Sequence, residues 1–198
     1  MPFDLNTFSQ EISQHGVSMA DKFDFTMTLP PIMQQTSNAS LQTFTTMCPL
    51  RAMNCTTPGM QFMGNESYKV GTGPRIFQPY NARFIPIKVT LLADEQGIIE
   101  QTLNQWMGYC FDFSFDGIHS QTGYATFMTN YRSDVMAEGI SINKYNRSGN
   151  VISTYTLADV VPMDLQSENL DWNGVNSLVG ITMLLHYTSY TIQAASNT

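Results

Sequence analysis

Apolar and polar residues alternate along several stretches of this 198-residue chain, a pattern typical of strands with one buried face. Phe23, Phe25 and Met27 alternate with polar neighbours and predict a strand over 21–28. The prolines at 30–31 end it, because proline cannot donate to a strand ladder.

A second stretch, residues 83–92, predicts another strand, and Pro86 within it favours an edge position or a bulge. Residues 59–70 are predicted as a further strand, closed by a Gly/Pro-rich turn at 71–74. The apolar face of the 83–92 strand would carry Ile85, Ile87, Val89 and Leu91.

The last third of the chain has the strongest sheet pattern. Residues 135–145 and 151–161 are predicted as two strands, joined at 146–150 by a segment with the composition of a hairpin turn. Residues 178–192 predict a final long strand with a polar face and an apolar face. The apolar face would carry Val179, Ile181, Met183, Leu185 and Tyr187.

One stretch has helical rather than alternating spacing. Acidic residues at 94–95 precede it, which suits the positive end of a helix dipole, and the prediction is a helix over 97–107. Its apolar stripe would consist of Ile98, Ile99, Leu103, Trp106 and Met107.

The N-terminal region has little pattern. Residues 1–20 are expected to form an arm or a short helix, and residues 30–58 a long loop with a short strand near 41–47. The whole chain, residues 1–198, is expected to form a single domain. Long loops in compact domains are often functional, so we expect the N-terminal region to contact neighbouring copies of the chain. No signal-peptide pattern starts the chain, and we expect it to be made in the cytoplasm.

Charge is scarce in this protein. Asp, Glu, Lys and Arg make up 13% of the residues, compared with roughly 25% in typical soluble domains. Two interpretations stay open: much of the surface is buried against copies of the same chain, or it is neutral and rich in Ser, Thr, Asn and Gln. A net charge of −7 with scattered basic residues disfavours binding to nucleic acid or to anionic membranes.

Catalytic and metal-binding patterns fail on spacing. His15, His119 and His186 stand alone in the sequence, and no Gly-x-Ser-x-Gly elbow occurs. Three cysteines, Cys48, Cys55 and Cys110, without a CxxC motif argue against a zinc site or a disulfide framework, although a bridge between Cys48 and Cys55, or an intermolecular one, stays open. We therefore predict no catalytic, metal or cofactor site, and no enzyme.

The order of elements resembles the tail tube proteins of contractile-tailed bacteriophages. The most specific part is the sequence YTL at 155–157, VP at 161–162, LDW at 170–172 and the long strand after it. The resemblance covers residues 60–192 and is weak over the first 58 residues.

This resemblance implies a mainly β fold, an antiparallel β-sandwich or barrel-like subunit with one packed α-helix and a long hairpin. It also implies a structural virion protein whose hexameric rings stack into the inner tube of the tail and conduct DNA during ejection. The implied partners are further copies of the chain and the sheath, baseplate and tail terminator proteins. The tape measure protein and DNA would pass through the lumen without specific binding, and no membrane is involved.

The family carries no catalytic residues, so the positions to examine are structural. The scaffold positions that the resemblance implies are Trp106, Tyr155, Leu157, Pro162, Asp171, Trp172 and Tyr187. The polar faces of the predicted hairpin supply candidates for the lumen wall, with ordinary solvent or a ring neighbour as the open alternative. These candidates are Ser141, Asn143, Thr154 and Thr156.

Two other functions stay open. A baseplate tube or tube-initiator protein would share the fold and differ in its copy number per particle. A receptor- or carbohydrate-binding β-sandwich would use clustered aromatic residues in loops, for which the candidates are Phe111, Phe113, Phe115, Tyr124 and Phe127.

Overall fold

The computed structural model describes residues 21–34, 39–68, 75–112, 128–129, 131–166 and 178–194. Within these ranges every paired strand is antiparallel, and the predicted mainly β fold is confirmed. The strands are β1 (Phe23–Thr26), β2 (Ala52–Cys55), β3 (Gly59–Tyr68), β4 (Arg75–Ile85), β5 (Ile87–Leu92), β6 (Phe111–Asp112), β7 (Met128–Thr129), β8 (Ile140–Tyr145), β9 (Val151–Ala158), β10 (Val161–Leu165), β11 (Gly180–His186) and β12 (Ser189–Ala194). The helices are α1 (Pro31–Gln34), α2 (Ala39–Arg51), α3 (Ile98–Cys110) and α4 (Arg132–Val135).

Two four-stranded sheets form the body. Sheet A has the order β1-β8-β9-β12, and sheet B has the order β10-β11-β5-β2. The predicted hairpin is present as β8 and β9, and its turn is closed by the side chain of Asn146, whose Oδ1 accepts from the N–H groups of Ser148 and Asn150 at 2.9 Å each.

The two sheets share one corner. β9 continues into β10 through Asp159, whose φ of 54° lies in the left-handed region that Asp tolerates better than most residues. β11 continues into β12 through Tyr187 and Thr188, and the N–H of Thr188 donates to the carbonyl of Ala158 at 3.1 Å. Both changes of sheet therefore occur side by side.

The inner faces of the two sheets contribute to one core cluster. Alternation explains the membership, because residues of one parity on each strand point inward. The core residues from sheet A are Phe25, Ile140, Ile142 and Leu157, and those from sheet B are Ile87, Val89, Leu91, Ile181, Met183 and Leu185.

The predicted helix is confirmed as α3, which begins and ends within three residues of the predicted bounds. Asp94 fixes its start, because its carboxylate accepts the N–H groups of Ile98 and Ile99 at 2.9 Å each. Trp106 is fully buried and donates its indole N–H to the carbonyl of Val135 at 2.8 Å.

The long loop predicted over 30–58 was wrong. The structure has a 13-residue helix, α2, in that region, and it also has helix where the short strand near 41–47 was expected. Leu41, Phe44 and Cys48 recur at spacings of three and four and are buried against the core. Ser, Thr and Gln residues surround this thin stripe, and Pro49 lies in the last turn, so the helical signal is weak.

The final strand was also predicted as one element, and the structure divides it. β11 belongs to sheet B and β12 to sheet A, with the change of sheet at residues 187–188. The strand predicted over 135–145 begins only at Ile140, because residues 132–135 form the short helix α4. The strand predicted over 151–161 ends at Ala158.

β3 and β4 form a separate two-stranded sheet, which we call the ribbon (residues 59–68 and 75–85). Its base is held by Tyr187, whose hydroxyl donates to the Gly59 carbonyl at 3.0 Å and accepts the Gly59 N–H at 3.1 Å. The ring of Phe84 packs on Tyr187 and Tyr190, with centroids 5.6 and 5.8 Å away. The single strand predicted over 83–92 was wrong, because Pro86 divides it: the ribbon ends at Ile85 and β5 begins at Ile87. Ile85 is 45% exposed and does not share the buried face of Ile87, Val89 and Leu91.

Candidate assembly surface

The face of sheet A that points away from the core is polar across all four strands. The strand register aligns two rows of side chains on it, running from β1 to β12. One row is Asp24, Asn143, Thr154 and Gln193, and the other is Thr26, Ser141, Thr156 and Thr191. We call these two rows the polar face of sheet A.

A chain of hydrogen bonds joins the first row. The Asp24 carboxylate accepts from Asn143 Nδ2 at 2.8 Å through one oxygen and from the Tyr145 hydroxyl at 2.6 Å through the other. Asn143 Oδ1 in turn accepts from Thr154 Oγ1 at 2.7 Å. The network therefore spans β1, β8 and β9 and uses both carboxylate oxygens of Asp24.

In the second row, the hydroxyls of Thr26 and Ser141 are hydrogen-bonded at 2.5 Å.

The network around Asp24 also affects titration. The hydrogen bond to Asp24 raises the pKa of Tyr145, with burial and the negative charge of Asp24 acting in the same direction. Many of the donors and acceptors on this face are therefore hydrogen-bonded to each other.

All four residues that the sequence proposed for a lumen wall lie on this face. Ser141 lies directly opposite Thr156, and Asn143 lies directly opposite Thr154. Asp24 and Tyr145, the two other members of the network, were not among the predicted residues. The alternation of the first strand does predict that Asp24 lies on the polar side, opposite Phe23 and Phe25.

The residues proposed as scaffold are buried or half-buried where the structure describes them. Leu157, Pro162 and Tyr187 are buried, as is Trp106, and Tyr155 is half-buried against the core. Asp171 and Trp172 lie outside the described residues, as do most of the loop aromatics considered for carbohydrate binding.

Sheet A has two outer strands, β1 and β12, and each has a described neighbour on one side only. Ile192 on β12 belongs to the apolar side of the sheet, since its neighbour on β9 is Tyr155. It is nevertheless 56% exposed, because sheet A ends there. An uncovered strand edge next to an uncovered apolar side chain is a surface suited to adding another strand.

The described residues form no group of three or more His, Cys, Asp or Glu that is able to hold a metal ion. Burial raises the pKa of Cys48 and of Cys55 to about 12, with each other's proximity adding to the effect at Cys48, and burial raises the pKa of Cys110 to about 11. All three thiols are free and poorly reactive in this state. None of the helices in the described ranges has the length and apolar character needed to cross a membrane.

Comparison with known proteins gives a consistent result at the level of fold and family. The structure is similar to the anti-feeding prophage cap, described as a tube terminating cap, with 16% identity, a TM-score of 0.58, and coverage of 90% of this chain and 92% of that one. It is also similar to the PVC sheath–tube complex of an extracellular contractile injection system, with 12% identity, a TM-score of 0.56, and coverage of 94% and 98%.

A third similar structure is the anti-feeding prophage baseplate, with 13% identity, a TM-score of 0.54, and coverage of 90% and 96%. At these identities the likeness establishes the fold alone. No curated protein sequence matches the chain. The family of phage tail tube proteins matches residues 18–193, which is most of the chain, and the protein therefore belongs to the phage tail tube protein family.

Proposed function

We propose that this protein is the main tube subunit of a contractile phage tail, in which hexameric rings stack into a hollow inner tube that conducts DNA during ejection. Sheet A carries the proposal, because it combines an apolar inner face, a polar outer face and two edge strands that each have one neighbouring strand among the described residues. In a ring of copies, adjacent sheets A would pair edge to edge and form one continuous, closed wall.

Edge-to-edge pairing follows from the strand order. The four strands of sheet A alternate in direction, so β12 of one copy and β1 of the next run antiparallel when copies are related by rotation. Each new contact then continues the pattern of the sheet. Closure removes both free edges, and it covers Ile192 with the inner face of the neighbouring copy.

The polar face of sheet A would line the lumen. Of its eight aligned residues, Asp24 is the one charged group, and Lys and Arg are absent from both rows. Proteins hold DNA mainly through basic side chains on phosphates, so this wall offers DNA little attraction. The hydrogen bonds within the face further reduce the number of donors available to a passing phosphate.

Outside the ring, we propose contacts with the sheath, baseplate and tail terminator proteins, and a lumen that the tape measure protein occupies before DNA. The protein would be made in the host cytoplasm and reside in the virion tail, with no catalytic role. Residues 1–20 and 30–58, the latter now including α2, remain candidates for contacts between subunits.

Electron microscopy of the purified protein tests the ring. Ile192→Lys should leave the fold intact, because the residue is half-exposed, and should abolish rings and tubes by putting a charge into the pairing edge. Tyr131→Lys is the matched control, since Tyr131 is 82% exposed and lies outside both sheets, and it should assemble normally. Wild-type assembly by Ile192→Lys would exclude the proposed edge contact.

A label tests the lumen wall. A gold cluster attached to Thr156→Cys should appear as density inside the tube in a cryo-EM reconstruction, since the native thiols react poorly. Density on the outer surface would show that the polar face points away from the DNA.

A further inference from the structure

Helix α2 exposes a face that carries no charge. Its described exposed residues, which lie between Gln42 and Leu50, include no Asp, Glu, Lys or Arg, and the one charged residue of the helix is Arg51 at its C-terminal end. Leu50 is 86% exposed. A helix that faces solvent normally carries charged residues opposite its buried stripe, as α3 does with Glu100. The exposed face of α2 is therefore better suited to contact with protein than with water.

Two hydroxyl groups on this face already have partners within the helix. Thr45 Oγ1 donates to the carbonyl of Leu41, and Thr46 Oγ1 donates to the carbonyl of Gln42, both at 3.2 Å. A polar side chain that is hydrogen-bonded to its own helix does not depend on water for a partner. Burial of Thr45 and Thr46 against another protein surface would therefore leave neither hydroxyl unpaired.

The position of α2 puts this face at one side of the paired sheets. α2 packs on β1 and runs directly into β2, and these two strands contact each other. β1 is an outer strand of sheet A, and β2 is an outer strand of sheet B. The remaining outer strands, β12 of sheet A and β10 of sheet B, therefore lie on the opposite side.

A ring closed through sheet A leaves a gap between the outer layers of adjacent copies. The two sheets have four strands each and are similar in width, but packed sheets lie about 10 Å apart. In a ring of six copies, a layer about 10 Å further from the axis has about 10 Å more circumference for each copy. When β12 of one copy pairs with β1 of the next, β10 of the first copy therefore cannot pair with β2 of the second.

An α-helix has the size of this gap, because its diameter with side chains is about 10–12 Å. α2 lies beside β1 and β2, on the side where the gap opens. Leu41, Phe44 and Cys48 attach it to its own core, so the uncharged face points away from that core. This face is available to the copy on the other side of the gap.

The opposite side of each copy offers an apolar residue to this helix. Met163 is the extra residue of a bulge in β10, where Pro162 pairs with Leu185 and Asp164 pairs with Leu184. Bulges re-aim side chains, and Met163 is 60% exposed. Methionine is unbranched and adapts to irregular contacts, so it suits a junction that no strand ladder holds in register.

We propose that the exposed face of α2, carrying Thr46 and Leu50, packs against the β10 edge of the neighbouring copy in the same ring, around Met163. This inference rests on the proposed ring, in which sheet A closes the inner wall by strand pairing. α2 would fill the outer part of each junction through side-chain contacts alone, because the gap is too wide for hydrogen bonds between strands.

A photo-cross-link tests the contact in assembled rings. p-Benzoylphenylalanine at position 46, in a mixture of isotopically light and heavy protein, should join α2 to a peptide that contains Met163. Pairs of one light and one heavy peptide would show that the product joins two copies. The same amino acid at position 105, on the exposed face of α3, is the control and should give no product with β10 of another copy. Products confined to one copy, or to any other surface of the neighbour, would overturn the proposal.

A charge on α2 and a compensating charge on β10 test the contact through assembly. Thr46→Glu introduces a carboxylate that would face Asp164 of the neighbouring copy, and it should reduce the fraction of subunits in rings by roughly tenfold or more. The urea midpoint should not change, because Thr46 is exposed. Adding Met163→Lys should restore the rings.

Gln105→Glu is the matched control for this charge, since Gln105 is exposed on α3, and it should assemble normally. Normal rings from Thr46→Glu, or no recovery when Met163→Lys is added, would refute the contact.

The proposed ring and the proposed contact of α2 fail differently. Wild-type protein that forms no rings when produced at high concentration contradicts both. Rings that persist in Thr46→Glu and are lost in Ile192→Lys contradict the contact of α2 alone.

Discussion

Replacing Ile181 with lysine tests the assignment of faces in the central strand of sheet B. Ile181 is 2% exposed and lies opposite Leu91, in a strand flanked on both sides by β10 and β5. A lysine at this position would have to bring its ammonium group into the core shared by both sheets.

Two effects lower the free energy of unfolding of this variant. Loss of the buried isoleucine side chain lowers it by about 1.5–3 kcal/mol. An unpaired ammonium group in the core adds several kcal/mol, since its desolvation is not offset by a partner. Together these reach roughly 5 kcal/mol or more, which is comparable with the whole stability of a typical domain, about 5–15 kcal/mol. We therefore expect Ile181→Lys to yield no soluble folded protein.

A milder substitution, measured by urea denaturation with circular dichroism as the probe, gives a quantitative test. Ile181→Val should lower the free energy of unfolding by about 0.5–1.5 kcal/mol. This corresponds to a fall in Tm of about 1–6 °C for a domain of this size. His186→Lys is the control, because His186 is exposed at the end of the same strand and its substitution should change stability by no more than about 0.5 kcal/mol. A stable, folded Ile181→Lys variant would refute the face assignment.

Three further predictions concern individual side chains that form hydrogen bonds. Trp106→Phe loses the indole donor to a buried carbonyl and should lower the free energy of unfolding by about 1–3 kcal/mol in urea titrations; unchanged stability would show that this bond contributes nothing. Asp94→Ala should cost about 0.5–2 kcal/mol at pH 7, because the side chain satisfies the first N–H groups of α3. Burial alone would raise the pKa of Asp94, but those N–H groups hold it below the usual value, so the contribution is present above about pH 4 and is lost as the pH falls through the folded-state pKa. The stability gap between wild type and Asp94→Ala should close in acid, whereas Glu95→Ala should show no such gap. Asp24→Ala should lower the pKa of Tyr145 towards its ordinary value, seen as one tyrosine titrating at lower pH in ultraviolet difference spectra, and an unchanged titration would contradict the network.

Local pattern was sufficient for much of the fold. The strands predicted over 135–145 and 151–161, with a turn between them, anticipated both the pairing of β8 with β9 and the shared face of Asn143 and Thr154. The stripe in α3 was similarly clear. α2 was missed because three buried positions among Thr and Gln residues give too weak a helical period, and packing against the core stabilises the helix instead.

The change of sheet after β11 was missed for a different reason. Residues 181, 183, 185 and 187 alternate without interruption up to the corner, and the sequence gives no strong turn signal at Thr188. The chain changes sheets there because Thr188 pairs with Ala158 at the other sheet change, a contact between distant residues.

The sequence by itself determined which side of each strand is apolar, because side-chain direction alternates with the backbone and needs no distant partner. It also determined that the chain carries no recognisable catalytic pattern and that its C-terminal part resembles a tail tube protein. Only the tertiary structure decided which strands are neighbours outside the β8–β9 hairpin. Asp24 meets Tyr145 across 121 residues, and Tyr187 holds the base of the ribbon at Gly59 across 128 residues. These features depend on long-range strand pairing, whose outcome is set by the packing of the whole chain rather than by any local period.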